Sequence, residues 1–163
     1  MLSYMEAYFA AEKTESLVFL VFGMAVIVFA AFTLGRWRDP LIMGLAIPLL
    51  AVGAIQVAVG TTIFARTDAQ VSSLMAQYEL APASFKTQEL ARMKVVSDGF
   101  TIYKIIEAVF IAVGLLLALM PSVRRFWRGF GLGMLVQGAL MLPADLVAED
   151  RAENYVKQIA SIP

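Results

Sequence analysis

Five polar side chains sit inside otherwise apolar stretches, and any chemistry in this chain starts with them: Gln56, Lys104, Glu107, Gln137 and Asp145. Lys104 and Glu107 interrupt FTIYKIIEAVFIAVGLLLALM, residues 100–120. An ionisable side chain at membrane depth costs a few kcal/mol and usually faces a bundle interior, where something pairs with it. Lys104 and Glu107 are three residues apart, so on a helix they share a face and are placed to pair directly. Asp145 competes for the same ammonium. Two carboxylates against one lysine leave one negative charge in excess. Either one carboxyl holds a proton, or a cation or a partner's donor balances it. Two carboxylates can also act as general acid and base, but no motif marks a substrate pocket. P-loop, dinucleotide and metalloprotease signatures are all absent.

Helical rise gives these residues a common depth. At about 1.5 Å per residue from the ends next to the short loops, Gln56, Lys104 and Asp145 each lie about 24 Å up their helices, and Glu107 about 20 Å. Thr61 and Thr62 fall just beyond this level, and Gln137 lies near mid-membrane. Two readings stay open. The layer fixes helix register by hydrogen bonds and an ion pair, or it is a working site for a proton, cation, lipid head group or partner side chain.

Four apolar stretches position the layer, at 17–34, 41–65, 100–120 and 129–148. Each is long enough to cross a bilayer. Residues 1–16 read as a short amphipathic lead-in, with Tyr4 and Tyr8 suited to a membrane interface. Gly35 and Pro40 bracket a tight turn after the first span. Pro48 lies within the second span. Ala46, Gly53 and Gly60 recur every seven residues as a small-residue stripe for close helix contact. The apolar rhythm continues past Arg66 through Val71, Leu74, Met75 and Tyr78, now among polar residues. A turn at 80–83 follows, and the third helix starts near Ser84 as N-cap, with Asp98-Gly99 as a candidate flaw. Helices two and three therefore project as a hairpin over about 66–99. In the fourth span, Gly129, Gly133 and Gln137 form one stripe and Gly131, Gly138 and Asp145 a neighbouring one, read as packing within one chain. The tail from Glu149 is placed to pack on the hairpin.

Composition agrees with this reading. Hydrophobic residues make up 60% of the 163-residue chain and charged ones 16%, and the mean hydropathy is +0.77; soluble domains average roughly 45–50% and 25%. Thirteen basic residues balance thirteen acidic ones, which gives no field for nucleic acid. The chain has no cysteine and no histidine. That excludes disulfides, thiol catalysis, Ser-His-Asp chemistry, and haem or zinc held by imidazole or thiolate. No cofactor and no metal site is expected. The opening residues lack the positive n-region and cleavage site of a signal peptide.

Arg36, Arg38, Arg124, Arg125 and Arg128 crowd the two short loops. The positive-inside rule places both loops in the cytoplasm and both termini outside. On the outer side, Arg66, Asp68, Glu89, Arg92, Asp98, Glu149 and Arg151 form either a solvated, salt-bridged rim or a partner-binding surface.

The blocks MGLAIPLLAVGAIQVAVGTTIFARTD (43–68) and FWRGFGLGMLVQGALMLPADLVAEDRAENY (126–155) resemble small four-span bacterial inner-membrane proteins without an established activity. The resemblance covers about a third of the chain. It implies a bacterial inner-membrane setting and no catalytic residues. Proteins of similar build include immunity proteins against toxins that attack membranes or the periplasm, an analogy of architecture alone.

The expectation is one all-α membrane domain over 1–163, a four-helix antiparallel bundle with a projecting hairpin. It would be a lipid-embedded, non-catalytic protein that binds a partner at the outer leaflet or in the periplasm: a toxin it neutralises, or a complex it belongs to. A homo-oligomer fits the same build. A proton- or cation-coupled transporter using Glu107, Asp145 and Lys104 is the alternative, although inverted repeats are lacking. An enzyme run by carboxylates stands third.

Overall fold

The computed structural model describes residues 1–162. It holds four long helices: α1 (Leu2–Arg36), α2 (Pro40–Leu80), α3 (Pro82–Leu119) and α4 (Arg125–Ala160). All four are long and apolar enough to cross a membrane. They are also longer than crossing requires. At about 1.5 Å per residue, 35 to 41 residues extend roughly 52–62 Å, against about 30 Å of hydrocarbon. The surplus lies at one end, where both termini and the α2–α3 turn meet.

The connections follow local chemistry, with some departures from the sequence reading. Asp39 caps α2 by accepting a hydrogen bond from the Leu41 amide at 2.8 Å, with Pro40 in the first turn. Gly35 does not stop α1; the chain leaves the helix at Trp37, in extended conformation. Ser84 is not the cap of α3, which starts at Pro82 directly after Ala81. Proline at the first helical position costs no hydrogen bond, so a one-residue turn suffices. Asp98-Gly99 does not break α3. The lead-in and the tail are not separate elements, since α1 and α4 run through them without interruption.

Glycines set the order of the helices in the apolar part. A methyl group added at Gly23, Gly53 or Gly60 would meet the facing helix of the α1–α2 pair. Gly44, Gly129 and Gly133 do the same between α2 and α4, and Gly114, Gly131 and Gly138 between α3 and α4. Both glycine stripes of α4 are thus consumed within one chain, one on each neighbour. The row is α1–α2–α4–α3, with α2 and α4 central.

Beyond the apolar part the helix ends form a head with its own core. Met5, Tyr8, Phe9, Phe85, Met93, Ala152, Tyr155 and Ile159 are buried there together. Tyr8 stacks on Tyr155 at 4.4 Å, and Tyr78 meets Phe85 edge-on at 5.4 Å. Lys86 donates to the Ile162 carbonyl at 2.5 Å, which ties the chain end to α3.

Candidate functional site

The polar layer resolves into two separate seams, one on each side of α4. Toward α2, Gln56 donates through Nε2 to Gln137 Oε1 at 3.2 Å and to Met141 Sδ at 3.1 Å. Gln137 is fully buried. Toward α3, Glu107 is 7% exposed and faces Asp145. Its Oε2 is buried without a hydrogen-bond partner, as are Gln56 Oε1 and Gln137 Nε2. Such atoms are uncommon in interiors.

Lys104 corrects the expected pairing. It does not pair with Glu107 or Asp145; its ammonium bonds both oxygens of Glu149, at 2.6 and 2.5 Å. Helix polarity explains this. Side chains lean toward the N-terminus of their own helix. In the antiparallel pair, α3 side chains lean toward the head and α4 side chains lean back from it. Lys104 reaches outward to meet Glu149, and Glu107, one turn deeper, is left with Asp145. The single lysine is therefore spent one level above the carboxyl pair. The four residues on this seam are Lys104, Glu107, Asp145 and Glu149, with Glu149 supplied from the expected rim.

Most of the rim residues face inward. Glu89 is only 1% exposed at its side chain. It accepts two bonds from Arg92, at 2.7 and 2.8 Å, and one from the Tyr155 hydroxyl at 3.0 Å. The Arg92 guanidinium also lies 5.5 Å from the centre of the Phe9 ring, which links α3 to α1. Arg151 pairs with Glu15. Lys94 pairs with Asp98 along one exposed helix face. Of the rim, Arg66, Asp68 and Asp98 keep largely open side chains, 51%, 77% and 64% exposed. Arg66 stands 3.9 Å from Glu12, and Asp68 is held by Lys13 at 2.6 Å. Asp68 lines a groove between α1 and α2 together with Glu6, Ala10, Lys13, Thr67 and Val71.

Tyr8, Glu12, Glu15 and Tyr155 belong to this network and were not among the site residues read from the sequence; Tyr8, expected at a membrane interface, is instead buried in the head core against Tyr155. Tyr8, Glu12 and Glu15 follow i, i+4, i+7 spacing, a shared helix face that was legible. Burial, then the Glu12 charge, pushes the Tyr8 hydroxyl up to about 12. Burial and Glu89 raise Tyr155 as well. Burial also lifts Glu12 above the usual carboxylate range, against the pull of Arg66, Arg92 and Arg151. Burial works against the Arg92 charge, but its bond to Glu89 outweighs that and holds the guanidinium firmly protonated.

No group of three or more acidic, cysteine or histidine side chains able to hold a metal occurs among the described residues. No protein-family model, curated protein or solved structure matches the chain.

Proposed function

We propose that this multi-pass membrane protein is a non-catalytic binding protein of a bacterial inner membrane that presents its head to a protein partner. The observation that carries the reading is the head itself. Four helices run well past the membrane and close around a separate apolar core, with charges tied into pairs that join all four. Helix packing inside the bilayer does not need this extension, whereas a recognition surface needs such rigidity. The arginines of the two short loops argue that the head lies outside the cytoplasm. The partner is then a periplasmic or outer-leaflet protein. An antibacterial toxin, in an immunity role, is the specific form we favour.

The groove at Asp68, with the half-open Arg66 two residues before it, is the open part of the expected rim that we favour for recognition. A photo-reactive residue at Asp68 is expected to trap a discrete protein adduct in native membranes. The same probe at Leu116, on the exposed apolar face of α3, should trap none. Arg66→Glu should cut the Asp68 adduct about tenfold, the effect of losing about 1.4 kcal/mol of contact. Adducts with lipid and self alone at position 68 would sink the reading.

A further inference from the structure

We propose that Glu107 and Asp145 together hold one exchangeable proton in the α3–α4 seam, and that this proton enters and leaves only on the head side. The inference does not rest on the partner reading.

Glu107 on α3 and Asp145 on α4 are neighbours across the seam, Glu107 buried and Asp145 half-buried. The Glu107 carbonyl packs at Gly138, and the partly exposed Lys104–Glu149 bridge forms the next level toward the head. Glu107 and Asp145 lie between those two contacts. Glu107 Oε2 is buried and has no donor. The one lysine at this depth is taken by Glu149. On α2, the Gln56 amide is bonded to Gln137 in the other seam of α4. α1 packs on α2 and contributes no titratable group at this level. Two facing carboxylates with no cation between them repel strongly, and one shared proton removes the repulsion while supplying the missing donor. A metal ion fits poorly. Sodium or calcium takes about six oxygens, and a third acidic ligand is absent among the described residues.

The seam has polar, partly exposed groups in one direction only. Toward the loops, α3 and α4 touch backbone to backbone: a methyl group at Gly114 would lie 2.7 Å from the Gly131 carbonyl, and one at Gly138 would lie 2.9 Å from the Glu107 carbonyl. No polar side chain interrupts that contact. Toward the head, the next groups are the partly exposed Lys104 and Glu149, and beyond them a cleft lined by Met93, Ser97, Ala152, Glu153 and Val156. A proton therefore has polar neighbours on the head side and close-packed glycines on the loop side. In this conformation the site is a store or sensor of head-side pH and does not form a path across the membrane.

Carbodiimide labelling tests this, because an apolar carbodiimide reacts with a protonated carboxyl in an apolar site. The full-length protein would be placed in vesicles of known orientation, with pH set separately on each side, and the label mapped by mass spectrometry. Label is expected at Glu107 or Asp145. It should fall about tenfold per pH unit past its midpoint as head-side pH rises, and stay unchanged when only loop-side pH is raised. Glu107→Gln, which mimics the protonated form, should keep the fold and abolish the pH-dependent label. If that variant fails to fold, the wild-type sidedness profile decides. Three outcomes overturn the proposal: no label at either residue at any pH, label that follows loop-side pH, or protection by sodium at fixed pH.

Discussion

Glu89 accepts three hydrogen bonds in the head core, so each donor should have a measurable worth. Arg92→Ala leaves a buried carboxylate without its counter-charge and should destabilise the protein by about 3–5 kcal/mol. Tyr155→Phe removes one bond to a charged acceptor and should cost about 1.5–3 kcal/mol. SDS-titrated unfolding in mixed micelles reads both, and equal losses would contradict the ranking. Charge reversal at Arg92 is for the same reason a folding variant, unsuited to testing a partner surface. The head also sets a pH dependence. Glu12 has its folded pKa raised above 4.5 by burial. Folding then takes up a proton, and the associated stability is complete below 4.5 and lost as pH rises through the raised value. Glu12→Gln should flatten that slope in the unfolding midpoint. Tyr8 acts likewise at alkaline pH, from 10.0 to about 12.

At the scale of the helices, glycine matters where backbones touch. A methyl group at Gly129 would overlap the Leu41 carbonyl, and one at Gly44 would overlap the Phe126 carbonyl. Backbone cannot give way as a side-chain tip can. Gly129→Ala should push α4 off α2 and cost about 1–3 kcal/mol or more. Gly35 has nothing within 4 Å of such a methyl group and sits within α1. Gly35→Ala should therefore stabilise, by up to about 1 kcal/mol of helix propensity. The same unfolding titration reads the pair. A loss at Gly35 as large as at Gly129 would mean that the close α2–α4 approach is not what glycine serves.

For the whole molecule, the absence of cysteine makes orientation directly measurable. Ser72 lies on the head and Ser122 in the α3–α4 loop, both exposed. With the arginine-rich loops inside, Ser72→Cys should react with an impermeant maleimide in intact spheroplasts. Ser122→Cys should react only after permeabilisation. The reverse pattern would put the head in the cytoplasm and with it any partner it binds.

Hydropathy and helical period are local properties, so the sequence alone determined four apolar helices, their antiparallel order and their extension beyond the length a bilayer needs. It set Gln137 below Gln56, and the two are bonded because α4 starts at Arg125, before its apolar stretch. Both glycine stripes of α4 were legible for the same reason, as was the packing of the tail on the hairpin. Depth along a helix does not say which neighbour a side chain faces. That choice depends on the rotation of each helix about its axis and on the row α1–α2–α4–α3, both of which arise from contacts between residues far apart in the chain. Only the tertiary structure therefore decided that Lys104 goes to Glu149, that Glu107 is left facing Asp145, that Gln56 and Gln137 meet on the other side of α4, and that Glu89 and Arg92 are turned into a core.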